Sequence, residues 1–127
     1  MAGIKTIFVV DDDDFYLLML KDHLDKNPAY KVHAFSTGEA CLDYLFDEKP
    51  DLIILDYFLN DTNPTAASGM VILEKIKKVY PSIHVIMLSS QGKYGVAAST
   101  IAKGARHYVV KDNDSFRKIT AILESYS

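Results

Sequence analysis

The chain has 127 residues, of which 49% are apolar and 24% charged, with a net charge of −3 at pH 7 and one cysteine. This composition is that of a folded domain of ordinary size, and its slight acidity excludes the basic field that attracts nucleic acid or anionic lipid. The single cysteine, Cys41, forms no internal disulfide, and no apolar stretch reaches the ~18 residues of a membrane span. We therefore expect one cytoplasmic domain, residues 1–127, that binds neither nucleic acid nor membrane directly.

Five short apolar runs alternate along the chain with segments of helical spacing. The runs are rich in β-branched residues and predict strands near residues 6–10, 31–35, 52–55, 83–88 and 107–110. Asn27-Pro28, Pro81 and Gly104 end the first, third and fourth helical segments. The sequence predicts helices at about 14–26, at 36–47, between Ser68-Gly69 and Pro81, at 94–103, and from 114 or 115 onward.

This alternation of strands and helices indicates βαβ units and a parallel sheet with helices on both faces. We predict an α/β protein, a doubly wound (βα)₅ three-layer sandwich with a five-stranded parallel sheet. The strand order 2-1-3-4-5 is not visible in the sequence by itself. It is, however, the order that places strands 1 and 3 side by side at the switch point and brings Asp11, Asp12 and Asp56 together.

Acidic side chains follow two of the predicted strands directly. Asp11 to Asp14 come after residues 7–10, and Asp56 comes after residues 52–55. The carboxyl ends of strands in an open parallel sheet border its ligand crevice. Like charges ~4 Å apart repel by about 4 kcal/mol at an effective dielectric near 20, so a cation is needed to offset such a cluster. Asp13 and Asp14 have a simpler interpretation as residues that cap the first helix.

Four motifs at predicted strand ends resemble those of one family, in the same order along the chain. They are Val9-Val10-Asp11-Asp12, the stretch from Asp51 to Asp56, the stretch from Val85 to Ser90, and the stretch from Gly104 to Lys111. Together they resemble the receiver domain of bacterial two-component response regulators, which has the CheY-like, flavodoxin-like fold. Each motif alone is a weak signal, but four in this order are specific, and the resemblance covers essentially the whole chain.

The resemblance implies that a histidine kinase or a phosphotransfer protein transfers a phosphoryl group to Asp56, since a carboxylate can form an acyl phosphate. Mg²⁺, the expected cofactor, would be bound by Asp12, Asp56 and the backbone carbonyl of Phe58, with Asp11 holding a metal-bound water. The domain would not be an enzyme acting on other substrates. It would promote only its own phosphorylation and dephosphorylation.

Three further residues complete the implied site. Lys111 supplies a positive charge for the phosphoryl oxygens, because phosphoryl transfer depends mainly on positioning and electrostatics. In the resembled family, a hydroxyl at the position of Ser89 moves toward the phosphoryl group and an aromatic ring at the position of Tyr108 turns inward. The surface of the fourth helix, fifth strand and fifth helix would then control a downstream protein target or an output domain absent from these residues. The resemblance also allows a homodimer linked to phosphorylation.

The sequence departs from the family pattern in two places. Asn60 stands where most relatives have a proline, and the glycine that usually comes eight residues after the acceptor comes 13 after Asp56, at Gly69. The difference, 13 − 8 = 5, predicts an insertion within residues 60–68, and its polar composition predicts an enlarged loop beside the site. Asp112 follows Lys111 where many relatives have a proline, often cis. A cis non-prolyl bond costs about 3–4 kcal/mol, so this bond is either strained or locally rearranged.

Two other interpretations remain open from the sequence. Asp11-x-Asp13 after the first strand is also found in phosphatases of the haloacid-dehalogenase type, in which Asp11 would be the nucleophile. Phe15 departs from that pattern, and the chain is short for the usual cap domain. A third interpretation is a degenerate receiver that binds partners without phosphorylation. Only the altered Lys111-Asp112 pair and the long loop favour it, and the complete set of site residues argues against it: Asp11, Asp12, Asp56, Ser89 and Lys111.

Overall fold

The computed structural model describes residues 3–60, 64–90 and 94–126, except for the side chain of Tyr94. Five strands alternate with five helices in this described part of the chain. In chain order they are β1 (Thr6–Val10), α1 (Asp14–Asp25), β2 (Lys31–Phe35), α2 (Gly38–Tyr44), β3 (Leu52–Asp56), α3 (Gly69–Val79), β4 (His84–Ser89), α4 (Tyr94–Ala102), β5 (His107–Val110) and α5 (Ser115–Glu124). The strands pair in parallel in the order β2-β1-β3-β4-β5. The predicted doubly wound fold and strand order are confirmed.

The sheet separates two hydrophobic cores, because successive side chains of a strand point to opposite faces. Phe8 and Ile53 face one core, which α2 and α3 cover, whereas Ile7 and Ile54 face the other, which α1 and α5 cover. The central strands β1, β3 and β4 are almost wholly buried, which explains why they are continuous apolar runs in the sequence. Each fully buried aliphatic side chain contributes roughly 1.5–3 kcal/mol to the free energy of folding, so the strand ends are firmly held.

The first helix begins where its acidic residues predict. The Asp13 carboxylate accepts hydrogen bonds from the amides of Phe15 and Tyr16 at 3.1 and 3.2 Å. Asp14 lies in the first turn of α1, where a negative charge suits the helix dipole. Asp13 and Asp14 therefore act at the helix start, as the sequence indicates.

The helix ends differ from the predictions by a few residues. Helix α2 ends at Tyr44 rather than near residue 47, because the amides of Phe46 and Asp47 donate to carbonyls only three residues back, which tightens the last turn. Gly104 follows α4 with a φ of 111°, the left-handed conformation that favours glycine at this position. None of the helices in the described ranges combines the length and apolar character needed to cross a bilayer.

The two departures from the family pattern have different outcomes. The Lys111-Asp112 bond is trans, since the described residues contain no cis peptide bond. Asp112 accepts a hydrogen bond from the Asp114 amide at 2.9 Å and pairs with Lys118 at 3.2 Å. The insertion predicted within residues 60–68 includes residues 61–63, which lie outside the described residues.

Replacing Gly69 by alanine tests how closely α3 approaches the end of β3. A Cβ atom at Gly69 would lie 2.1 Å from the carbonyl oxygen of Asp56 and 2.7 Å from the Cα atom of Tyr57. We expect Gly69→Ala to lower the free energy of unfolding by about 1–3 kcal/mol, because backbone must move to admit the methyl group. Urea unfolding measures this change. Gly95→Ala is the matched control: it meets no atom within 4 Å, so it should leave stability unchanged or raise it by up to about 1 kcal/mol. Equal stability of the two variants would contradict this close approach.

Candidate functional site

Three aspartates meet at the carboxyl ends of the two central strands. Asp11 follows β1 directly and Asp56 is the last residue of β3, and these strands are hydrogen-bonded neighbours. Both side chains are buried, whereas Asp12 is partly exposed. One carboxylate oxygen from each of Asp11, Asp12 and Asp56 lies within 4.8 Å of those of the other two. The structure thus brings together the three carboxylates that the strand order predicts.

Lys111 places a single ammonium group between two of these carboxylates. Its Nζ atom is 2.7 Å from Oδ2 of Asp11 and 3.4 Å from Oδ1 of Asp56, and only 13% of its side chain is exposed. The end of β5 sets its position, because the Lys111 amide donates to the Ser89 carbonyl at 2.8 Å. Loss of either partner of this buried ion pair would leave the other charge buried without compensation.

Tyr16 is a residue of the site that the sequence analysis missed. The Lys111 ammonium lies 4.7 Å from the centre of its ring, within the range of a cation–π contact. The Tyr16 hydroxyl is hydrogen-bonded to the Ser115 hydroxyl at 2.8 Å, which connects α1 to the start of α5. Neither Tyr16 nor Ser115 belongs to a recognisable sequence motif. The available signal was that Tyr16 lies in the first turn of the helix that follows the aspartates.

Burial raises the pKa values of the two buried carboxyl groups, and repulsion by Asp11 raises that of Asp56 further. Burial, followed by the charge of Asp11, raises the pKa of Asp56 to about 8, although Lys111 and the Phe58 amide act in the opposite direction. Burial also raises the pKa of Asp11 above its ordinary value, despite the ion pair with Lys111. Burial lowers the pKa of Lys111, but its bonds to Asp11 and Asp56 outweigh this effect and the net shift is upward. In the absence of a further cation, the Asp56 carboxyl group therefore holds its proton near neutral pH.

The carboxylate cluster is suited to a hard divalent cation. The buried Oδ2 atom of Asp11 receives no hydrogen bond of normal geometry and depends on the ionic contact with Lys111. Oxygen donors with excess negative charge are the ligands that Mg²⁺ takes in proteins. Phe58, the predicted backbone ligand, is half-buried two residues after Asp56, with its ring 4.8 Å from that of Tyr57. The residues present therefore fit the implied Mg²⁺.

The two predicted switch residues lie on the neighbouring strands β4 and β5. Ser89 is the buried last residue of β4, one position beyond Leu88, which pairs with Asp56 across the sheet. Tyr108 is a half-buried residue of β5, opposite Met87 in the register, and packs against the core that α2 and α3 cover. Their role as switch residues remains a prediction from the resemblance. Their roles are taken up below.

Comparison with known proteins identifies the family. The family model for the response regulator receiver domain matches residues 7–124. The chain belongs to this family. It acts as a receiver domain of two-component signalling, as its motifs predict. The family match favours this interpretation over that of a haloacid-dehalogenase phosphatase.

The similar proteins include both short and long chains. The chemotaxis protein CheY of Bacillus subtilis is 28% identical over 116 residues, which cover 91% of this chain and 92% of that protein. A protein-glutamate methylesterase/protein-glutamine glutaminase of Thermotoga maritima is 32% identical over 92% of this chain, but the match covers only 34% of the enzyme. A CheY-like receiver domain of Methanospirillum hungatei, known as a crystal structure, has a TM-score of 0.79 and 27% identity, with 98% of this chain and 97% of that chain covered.

Magnesium should stabilise the folded protein through this cluster. A ligand that binds only the native state at ten times its dissociation constant adds about 1.4 kcal/mol to the free energy of unfolding. We expect millimolar MgCl₂ to raise the melting temperature by a few degrees and Asp12→Asn to abolish most of the rise. Differential scanning fluorimetry measures this shift. Asp14→Asn is the control, since Asp14 lies in the exposed first turn of α1 and should respond as the wild type does. A full rise in Asp12→Asn would contradict this location of the metal.

The raised pKa of Asp56 predicts how stability depends on pH without metal. The folded-state pKa, about 8, lies above the unfolded value, so the folded state retains this proton more strongly. The resulting stabilisation is complete below the unfolded pKa near 4 and is lost as pH rises through about 8. We expect the urea midpoint in EDTA to fall between pH 5 and pH 9, and to fall less in Asp56→Asn, which has no proton to lose. His84 and His107 titrate in both proteins and cancel in the comparison. Equal slopes would contradict a raised pKa at Asp56.

Proposed function

We propose that Asp56 accepts a phosphoryl group from a phosphohistidine of a histidine kinase or a phosphotransfer protein. The observation that carries this proposal is the arrangement around its carboxylate. Asp56 lies at the carboxyl end of β3, with the Lys111 ammonium 3.4 Å from Oδ1 and the oxygens of Asp11 and Asp12 within 4.8 Å. A nucleophile, a fixed positive charge and a set of cation ligands are thus combined at one sheet edge.

The transfer exchanges one bond to phosphorus for another. An oxygen of the ionised Asp56 carboxylate attacks phosphorus as the bond from phosphorus to the histidine nitrogen breaks. The electron pair of that bond stays on the nitrogen, so a phosphohistidine protonated at its other nitrogen leaves as neutral imidazole. Lys111 and the Phe58 amide favour the ionised Asp56 that this step requires. Bound Mg²⁺ would supply further positive charge for the carboxylates and for the phosphoryl oxygens.

Lys111 changes partner in the proposed reaction. Once Asp56 carries the phosphoryl group, the negative charge of its carboxylate is replaced by that of the phosphoryl oxygens. The Lys111 ammonium, held by Asp11 and by the ring of Tyr16, lies close enough to turn from Asp56 to those oxygens. This positioning supports a role for Lys111 as an electrostatic partner of the phosphoryl group, because the ammonium is in place before the charge arrives.

The response would pass from the site to the surface through β4 and β5. We infer that the Ser89 hydroxyl donates to a phosphoryl oxygen and that the Tyr108 ring turns inward as Ser89 moves. Ser89 ends β4, and Tyr108 lies on the adjacent strand beside Met87. The surface of α4, β5 and α5 would then change its affinity for a partner, which is a population shift driven by one local charge.

The downstream partner is either another protein or an output domain. Among the relatives, CheY is matched over most of its length, whereas the methylesterase contains a match over only a third of its chain. We therefore propose a cytoplasmic regulator, residues 1–127 forming its receiver domain, that acts on a separate target or on an attached domain. A homodimer linked to phosphorylation is included in this proposal.

Intact-mass spectrometry after incubation with acetyl phosphate and MgCl₂ tests the phosphoacceptor. We expect one phosphoryl adduct on the wild type and none on Asp56→Asn. Lys111→Met should lower the yield of adduct, because it removes the charge that faces the phosphoryl oxygens. Tandem mass spectrometry of the adduct, after reduction with borohydride, locates the modified carboxyl group.

Two results would contradict the proposal. An adduct that persists in Asp56→Asn and disappears in Asp11→Asn would make Asp11 the nucleophile, as in the phosphatase interpretation. No adduct on the wild type, with Mg²⁺ binding shown by thermal stabilisation, would identify a receiver that binds partners without phosphorylation.

A further inference from the structure

An apolar groove lies between the carboxyl-terminal ends of α2 and α3. It has a volume of about 260 Å³ and is lined by Leu42, Phe46, Lys75, Lys78, Val79 and Tyr80. Helices of a doubly wound fold run back along the sheet, so their carboxyl ends lie at the edge opposite the carboxyl ends of the strands. The groove is therefore at the far end of the domain from Asp56 and forms no part of the phosphoacceptor site.

The walls of the groove expose large apolar side chains. Phe46, in the turn that ends α2, is 81% exposed, and Val79, the last residue of α3, is 63% exposed. Burying a phenylalanine or valine side chain stabilises a protein or complex. The domain itself leaves both side chains exposed. A concave exposed apolar surface of this kind is typical of an interaction site.

Two lysines on α3 make the rim of this groove positive. Lys75 and Lys78 are exposed and three residues apart, hence on one side of the helix. No described carboxylate lies within 4.0 Å of either ammonium group. Their neighbours differ: Lys77 donates to the carbonyls of Pro81 and Ile83, and Lys103 pairs with Glu74 at 3.6 Å. The groove thus combines apolar walls with two cations that have no carboxylate partner among the described residues.

We propose that this groove binds an acidic, amphipathic segment of another protein. Apolar side chains of that segment would cover Phe46 and Val79, and its carboxylates would pair with Lys75 and Lys78. The chain has an exposed apolar stripe of its own on α1, including Phe15 and Leu18. A second copy docked through that stripe would make a head-to-tail contact, which forms open filaments unless the rotation closes a ring. An open contact of this kind gives no defined dimer, so we assign the groove to a different protein.

A designed peptide provides the probe. It is a 15-residue helix former with leucine or phenylalanine at positions i, i+3, i+4 and i+7 and glutamate elsewhere, and its counterpart carries lysine in place of glutamate. Amide shifts of the ¹⁵N-labelled domain report where each peptide binds. We expect the acidic peptide to shift residues 42–46 and 75–80, with an affinity that falls as salt is added, and the basic peptide to leave them unchanged.

Surface variants distinguish specific peptide binding in this groove from nonspecific binding elsewhere on the domain. Lys75→Glu/Lys78→Glu should weaken binding of the acidic peptide at least tenfold, and Phe46→Ser should weaken it about fivefold. Lys5→Glu/Lys26→Glu carries the same change in net charge, and Phe15→Ser removes a side chain that is 73% exposed on α1, so both should bind as the wild type does. All four variants alter exposed side chains, and their melting curves check that they fold.

Three results would overturn the proposal. The first is that neither peptide shifts residues 42–46 and 75–80 at 1 mM. The second is equal binding of the acidic and basic peptides, or an equal loss of binding in the control variants. The third is a wild-type dimer in sedimentation that Phe46→Ser dissociates, which would assign the groove to a second copy of this chain.

Discussion

Asp11 and Asp56 hold two buried carboxylates against each other at the carboxyl edge of the sheet, and the ammonium of Lys111 lies between them. This arrangement determines the properties of the rest of the site. Burial raises the pKa of both carboxyl groups, and the charge of Asp11 raises that of Asp56 further, so the site opposes ionisation. The single Lys111 ammonium offsets only part of the free-energy cost of ionising these carboxyl groups. The site is therefore suited to a divalent cation near Asp12.

Apolar packing of the sheet holds this electrostatically unfavourable arrangement in place. Asp11 and Asp56 lie at the ends of strands whose other residues are almost all buried, and the apolar packing on both faces fixes their positions. Gly69 allows the start of α3 to approach the Asp56 carbonyl. Lys111 is fixed by β5, by its ion pairs and by the ring of Tyr16. A charge that arrives at Asp56 therefore meets preorganised partners, and β4 and β5 are the neighbouring elements on which it can act.

Much of this could be predicted from the sequence because the information is local. Apolar runs, helix breakers and capping residues such as Asp13 determine the elements, and aspartates at strand ends determine the cluster once the strand order is known. The end of α2 was missed because its last turn tightens through i to i−3 bonds, which leave no mark in the sequence. Tyr16 was missed because its contact with Lys111 joins residues 16 and 111, far apart in the chain. The groove beside Phe46 also depends on the packing of two helices, which periodicity alone does not reveal.

The most direct test of this account is the titration of the Asp56 carboxyl group by ¹³C NMR in metal-free protein, with Lys111→Met as the comparison. The structure predicts an Asp56 pKa of about 8 in the wild type. It predicts a higher pKa in Lys111→Met, because the ammonium that favours the carboxylate is gone. Saturating MgCl₂ should bring the wild-type pKa far below 8. An Asp56 that titrates near 4 in the metal-free wild type, or that is unaffected by the loss of Lys111, would contradict the claim that buried, mutually repelling carboxylates define the site.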